Sequence, residues 1–246
     1  MSLNEKLINK YISSDKYDFK IFNIDYTENE LKIIKNFNIM KHHNYNHFGS
    51  IDMINLKDFL LEIGDNKKSL VNQMERIIIK LIKNVMSSYK MDNFWITIRV
   101  TLPNHLYDIP RWHKDGAFFL NKENAMTSKF VGVLKGPGTL VIKSDDSINQ
   151  TYNTLYKKQL DEMNKCKTFE DQIKVGDKYR PVYANAFKNE KIIKVKNNQA
   201  LIFFAGTDKK NSCLHSEPPI NKPRLFISIL PGSMKDIMEL KNKKLI

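Results

Sequence analysis

Two residues apart in the segment RWHKDG, His113 and Asp115 offer an imidazole and a carboxylate from one short run of chain. In extended backbone alternate side chains leave the same face, so the two groups can address one point. Together they make two thirds of a facial metal triad, the donor set that holds iron(II) and leaves coordination positions open. A histidine hydrogen-bonded to an aspartate for structural reasons has the same spacing. The second half of the chain bears on that choice. In ALIFFAGTDKKNSCLHSEPPINKPRLFISIL an apolar strand leads through a loop to His215, and another strand opens at Arg224. A sheet closed on itself brings such distant strands face to face, so His215 can complete the triad and Arg224 can sit behind it as an anion anchor.

Further candidates follow from alternation. Arg111 shares the parity of His113 and Asp115, and Arg99 lies on the polar face of the preceding strand. Either can meet a substrate or form a salt bridge of little energetic weight. Tyr107 and Asn104 sit on the loop before the motif, where they can line an entrance, while Trp112, of opposite parity, is a core candidate. Two other groupings could suggest a metal. His42, His43 and His47 crowd together in KHHNYNH without a His-Glu-x-x-His pattern, which favours a polar surface turn. Cys213 is two residues from His215, a spacing that would suit zinc, but no further cysteine pairs with it. Neither a glycine-rich phosphate loop nor a nucleophile elbow is present.

The elements that must position these residues read in three parts. The first ninety residues read as helical. Thr27 and Glu30 form a capping-box pattern, Leu56 to Ile63 stops at Gly64, and Leu70, Met74, Ile77, Ile78, Leu81, Ile82 and Val85 make a stripe wide enough to lie on a sheet. After Met91 the period shortens to two. Phe94, Ile96, Ile98, Val100 and Leu102 alternate with Trp95, Thr97, Arg99 and Thr101. Further strands are expected at 111–120, 130–134, 139–143, 191–195, 200–204 and 224–230, with Gly136-Pro137-Gly138 as the turn of an antiparallel hairpin. Residues 144–189 lapse into a polar, partly helical insertion, of a length that forms a wall or lid. One domain over 1–246 is expected, with a helical layer at 1–90 and a sandwich or barrel core from 91–143 and 190–232.

Composition limits the alternatives. The 246 residues are 41% hydrophobic and 27% charged, which excludes collagen-like and low-complexity chains. A chain of this length supports a real core, so metal ligands call for a functional reason rather than a structural one. No stretch approaches the roughly 20 apolar residues of a membrane span, and MSLNEKLINKYISSDK is charged where a signal peptide is apolar. A soluble, cytoplasmic protein with free Cys166 and Cys213 is expected. Lys and Arg number 40 against 27 Asp and Glu, a net charge of +13, yet only five are Arg. That leaves open both a solvated basic surface and a face for nucleic acid or an acidic protein.

The order His113, Asp115, His215, Arg224 resembles the iron(II) and 2-oxoglutarate-dependent dioxygenase superfamily: His-x-Asp, a distal His, then an Arg or Lys around ten residues on. FVGVLKGPGTLVIK and NQALIFF resemble its strand–turn–strand and its strand before the distal histidine. The likeness covers residues 94–143 and 191–230. It implies a double-stranded β-helix, or jelly roll, with His113, Asp115 and His215 as iron ligands. Arg224 would be the 2-oxoglutarate anchor, and Arg99, Tyr107 and Arg111 candidates to meet substrate. It further implies dioxygen as oxidant, ascorbate as reductant, and hydroxylation with release of succinate and carbon dioxide. Two departures stand out. Where the family often has Ser two residues after the anchor, this chain has Phe226, with Ser228 beyond it, and LFISILPGS lacks the second Arg of the nucleic-acid-dealkylating branch. The alternative class is a jelly-roll binding module without turnover, docking an acidic partner or nucleic acid.

Overall fold

In the computed structural model, residues 1–14, 19–104, 108–116, 118–119, 127–206 and 212–244 are described. Helices come first but do not fill the first ninety residues. The order is α1 (Glu5–Ile12), β1 (Phe19–Asn23), α2 (Glu28–Asn36), β2 (His43–Ser50), α3 (Lys57–Glu62) and α4 (Lys68–Tyr89). The core strands follow as β3 (Asn93–Thr101), β4 (Thr127–Lys135) and β5 (Leu140–Ile142). After them come α5 (Asp146–Met163), α6 (Phe169–Ala186), β6 (Ile192–Lys194), β7 (Gln199–Ala205), β8 (Leu214–Ser216), β9 (Arg224–Gly232) and α7 (Met234–Lys244).

The strands form two antiparallel sheets. The larger has the order β1-β7-β4-β9-β3-β2 and the smaller β6-β5-β8. His113 extends the smaller sheet by one residue: its N–H donates to the His215 carbonyl at 2.9 Å and the return bond is 3.0 Å. From β3 onward the chain therefore alternates between layers, passing to His113, back to β4, across to β5 and β6, and through β7, β8 and β9.

Each strand of the larger sheet splits its residues between two environments. Phe94, Ile96 and Ile98 of β3 and Leu225, Ile227 and Ile229 of β9 join Met74, Ile78, Leu81 and Val85 of α4 in one core. Apolar steps of three and four residues make that face of α4 continuous, and its burial supplies most of the helix's stability. The Thr27–Glu30 capping box forms as expected: the threonine hydroxyl accepts from the Glu30 N–H at 3.2 Å, and the Glu30 carboxylate accepts from the Thr27 N–H at 2.9 Å.

Four expectations are corrected. β1 and β2 lie within the segment read as helical, and the KHHNYNH turn is largely β2, an edge strand paired along its length with β3. The strand expected over 111–120 pairs only at His113 among its described residues, because β8 is three residues long and Pro218-Pro219 follow it without N–H groups to continue a ladder. The 136–138 turn does not close a hairpin, since β4 and β5 belong to different sheets. Its glycines instead let the chain change layers at close quarters. Gly136 has φ +94°, and a Cβ there would stand 2.3 Å from the Pro223 carbonyl oxygen. The insertion folds as the pair α5 and α6, whose Tyr152, Tyr179 and Tyr183 bury with Trp112 and Phe187 in a cluster of their own.

Candidate metal centre

His113 and His215 face each other across the narrow bridge between their backbones, so both imidazoles leave the same face of the smaller sheet. Their ring centroids are 4.2 Å apart. Asp115 completes the group, with Oδ1 at 3.8 Å from His113 Nε2 and 3.9 Å from His215 Nε2. Among the described residues these three form the cluster able to hold a metal ion, with ligand atoms all within 4.8 Å of one another.

Backbone carbonyls fix which ring nitrogen is available. His113 Nδ1 lies 2.8 Å from the Arg111 carbonyl oxygen, and His215 Nδ1 lies 3.0 Å from that of Cys213. A carbonyl only accepts, so each neutral ring carries its proton on Nδ1 and turns the Nε2 lone pair toward Asp115. Burial keeps both rings neutral. It pushes His215 down to about 4, helped by the neighbouring His113, and it lowers His113, helped by Arg111. Burial opposes ionisation of Asp115, but Lys129 and then the two histidines outweigh it and hold the carboxyl well below its ordinary range. At neutral pH the cluster is two lone-pair nitrogens and one carboxylate, the donor set a facial iron(II) site needs.

Two residues that the sequence reading passed over complete the surroundings. Lys129 of β4 places Nζ 2.8 Å from Asp115 Oδ2, occupying that oxygen and leaving Oδ1 toward the histidines. Glu217, two residues beyond His215, receives a two-point fork from Arg111 at 2.7 and 3.2 Å and lies 3.6 Å from Arg99. Burial opposes its charge, yet His113 and Arg111 hold its carboxyl well below the ordinary carboxylate range. Parity was the available signal for both: Lys129 alternates with Val131 and Val133 on the inner face of β4, and Glu217 shares the parity of His215.

Arg224 opens β9 and is 2% exposed. Nε donates to the Pro137 carbonyl at 2.9 Å, Nη2 donates to Thr139 Oγ1 at 3.1 Å, and the guanidinium lies 4.7 Å above the Phe226 ring. Among the described residues no carboxylate reaches ion-pair distance of it. Burial lowers it to about 10, which leaves it cationic at neutral pH. A cavity of about 300 Å³ joins these parts, lined by the triad together with Lys129, Thr139, Glu217 and Arg224. The residues present fit a metal and a dicarboxylate: a donor set at one end and a buried cation held by neutral acceptors at the other.

The remaining candidates divide. Arg99 and Arg111 both line the cavity, and both engage Glu217. Trp112 is core, 3% exposed. Ser228 faces a neighbouring cavity with Arg99 and Phe226. Tyr107 lies outside the described residues. Cys213 stays out of the cluster, its side chain packed with Val141 and Phe203, and His43 and His47 turn to Glu62 and the Ser50 carbonyl.

No family model matches the chain, and no curated protein matches it. Solved structures do. A Kdo hydroxylase, described as a non-heme Fe(II) alphaketoglutarate-dependent dioxygenase in complex with alphaketoglutarate and Fe(III), is 11% identical with TM-score 0.48, covering 98% of this chain and 88% of that one. HygX from Streptomyces hygroscopicus, with nickel and 2-oxoglutarate bound, is 9% identical with TM-score 0.46, covering 95% and 88%. A Pseudomonas putida prolyl-4-hydroxylase is 7% identical with TM-score 0.44, covering 94% and 99%. No helix among the described residues is long and apolar enough to cross a membrane.

Proposed function

We propose that this chain is an iron(II)- and 2-oxoglutarate-dependent dioxygenase that hydroxylates an organic substrate with release of succinate and carbon dioxide. The observation that carries the reading is the convergence of His113, Asp115 and His215 with both Nε2 lone pairs turned inward, in a cavity whose other end holds buried Arg224. The alternation of the chain between two sheets supports the double-stranded β-helix as its scaffold, and the core shared by both halves supports a single domain over 1–246.

His113, Asp115 and His215 would hold the metal. When bound, iron(II) supplies the coupling of dioxygen and 2-oxoglutarate to oxidation of a C–H bond. The chain's own part is to bind, orient and exclude water. Arg224 offers a planar fork to the distal carboxylate of the co-substrate, and Thr139 stands ready as a hydroxyl beside it. Lys129 restrains Asp115 through Oδ2. Arg111 and Arg99, tied to Glu217, edge the mouth where a substrate would approach.

The test is metal analysis of protein purified without air, with 2-oxoglutarate titrated into the iron(II) form while the chelate absorption band is followed. One equivalent of metal, a saturable band and succinate formation are expected, all lost in His113→Ala. An absent band with intact folding would leave a binding module in its place.

A further inference from the structure

We propose that the cavity over the inner face of β2, β3 and β9 binds a compound whose ring carries several hydroxyl groups, a sugar or a close relative. Resting on the oxygenase reading, that compound is the primary substrate. The cavity has a volume of about 430 Å³, within the range of small-molecule sites. Trp95, Arg99, Lys129 and Phe226 line both it and the triad's cavity, so an occupant can extend to the candidate metal centre.

Strand register builds its floor. Asn46 of β2 stands opposite Thr97 of β3, which stands opposite Ser228 of β9, so three neutral polar side chains cross the sheet in one row. Burial deepens along it from exposed Asn46 to Ser228, which is 6% exposed. One amide organises the row. Asn46 Oδ1 accepts from the Trp95 indole N–H at 3.1 Å and from the Thr97 hydroxyl at 2.9 Å. An indole nitrogen only donates, so the atom it meets is the oxygen, and the two Nδ2 hydrogens turn elsewhere. Among the described residues neither Nδ2 nor the Ser228 hydroxyl has a hydrogen-bond partner. A buried hydroxyl without a partner is uncommon, and Ser228 faces the cavity.

From the interior outward the row thus offers a hydroxyl, the lone pairs of a second hydroxyl, and two N–H donors. Donors and acceptors in succession suit ligand hydroxyls, which do both; a carboxylate or phosphate calls for donors alone, and an apolar ligand would leave every group unpaired. Beside the row Phe48 and Trp95 stack with centroids 5.6 Å apart and planes 4° from parallel. The indole N–H is spent on Asn46, so what these rings add to the cavity is apolar, the complement of the C–H face of a sugar ring. The charged lining belongs to the wall shared with the triad. There Arg99 and Lys129 meet the Glu217 and Asp115 carboxylates at 3.6 and 2.8 Å. A peptide strand would need backbone partners, and β3 and β9 spend theirs on the strands to either side.

Ligand-observed NMR of the full chain tests the proposal, with methyl α-D-glucopyranoside, methyl α-D-galactopyranoside and methyl α-D-mannopyranoside against methoxycyclohexane and triglycine. At least one pyranoside should bind saturably, with a dissociation constant of about 10 mM or below, and tighter than both controls. Ser228→Ala deletes a hydroxyl, and Asn46→Asp keeps the acceptor for Trp95 and Thr97 but removes both N–H donors. Each should weaken the pyranoside by about fivefold or more. In the manganese(II)-loaded protein the proton lines of the bound pyranoside should broaden beyond those in the zinc(II) form, since the cavity adjoins the metal centre. No pyranoside binding, binding undiminished in either folded variant, preference for either control, or equal line widths with metal bound would overturn it. A parallel cobalt(II) and 2-oxoglutarate titration separates the failures. A co-substrate signal without pyranoside binding removes this proposal alone, and pyranoside binding without that signal removes the oxygenase reading and leaves a sugar site.

Discussion

Strand β9 presents two regions that differ in everything except their backbone. Leu225, Ile227 and Ile229 are fully buried against the helices, while Arg224, Phe226 and Ser228 face the smaller sheet and the cavities between the layers. On the first face side chains are interchangeable in chemistry and constrained in volume. On the second the reverse holds: an arginine is buried against neutral acceptors, at a cost to stability that only an anionic ligand would offset. A two-residue period thus separates stability from chemistry along one strand, and substitutions on each face should disturb one property and spare the other.

The largest effect is expected on the ligand face. His215→Ala should lower succinate formation by about a thousandfold or more and abolish cobalt(II) binding, because a triad reduced to two donors no longer encloses a metal. Its apoprotein should melt within a few degrees of the parent. The mirror image is Ile227→Ala, which deletes a side chain at zero exposure that lies opposite Gly132. A loss of about 2–4 kcal/mol in urea denaturation is expected, with cobalt(II) affinity of the folded fraction unchanged. If Ile227→Ala weakened the metal as much as His215→Ala, the two faces would not be separable.

Arg224→Met comes next. Removing the fork should raise the dissociation constant for 2-oxoglutarate by about 10- to 100-fold, roughly 1.4–2.8 kcal/mol, and leave cobalt(II) binding in place. Calorimetry of the two titrations checks it. Equal loss of metal and co-substrate would mean that Arg224 supports the cavity wall rather than a carboxylate.

The same contrast governs what could be read from the sequence. β3 was legible because its faces differ, apolar residues alternating with Trp95, Thr97 and Arg99, and α4 because its stripe runs unbroken from Met74 to Val85. β2 was not. It is an edge strand in which His43, Tyr45 and His47 lean on the helical side, where His43 and Tyr45 meet Phe59, while Asn44 and Asn46 face an open cavity, so neither face is apolar enough to show a period. The triad could be named because ligand chemistry tolerates few residue types. Lys129 and Glu217 were missed because lysine and glutamate are common on surfaces, and only their parity with inward neighbours marks them. The layer change at 136–138 was hidden for another reason: a Gly-Pro-Gly turn looks the same whether its strands pair or part, and the close approach of Pro223 is a tertiary fact.

A smaller effect belongs to the helical side and depends on pH. Burial pushes the pKa of the Glu30 carboxyl up, but the Met1 ammonium at 2.6 Å, the Thr27 N–H and Lys80 at 3.0 Å bring it down to about 2 from the ordinary 4.5. A carboxyl lowered on folding contributes stability that is complete above its unfolded value and lost as pH falls toward its folded one. Glu30→Gln should therefore cost about 1–2 kcal/mol at pH 7, a figure reduced for the half-exposed Lys80, and should flatten the decline between pH 4.5 and 2. Chemical denaturation at several pH values measures it, and cobalt(II) binding at pH 7 should not change.

The smallest effect asks which hydroxyl serves Arg224. Ser228 shares its face, but four residues of strand separate the two, about 13 Å at 3.3 Å per residue, so one small dicarboxylate carboxyl cannot touch both. Phe226 fills the intervening position with a ring beneath the guanidinium. Thr139 immediately precedes β5 of the other sheet and already meets Nη2 at 3.1 Å. Thr139→Val keeps the shape and removes the hydroxyl, and about a three- to tenfold loss of 2-oxoglutarate affinity is expected, the worth of one hydrogen bond. Ser228→Ala should change that affinity by less than about twofold. The opposite ranking would show that the co-substrate lies along β9 toward the neighbouring cavity, and that the division of its inner face between Arg224 and Ser228 is wrong.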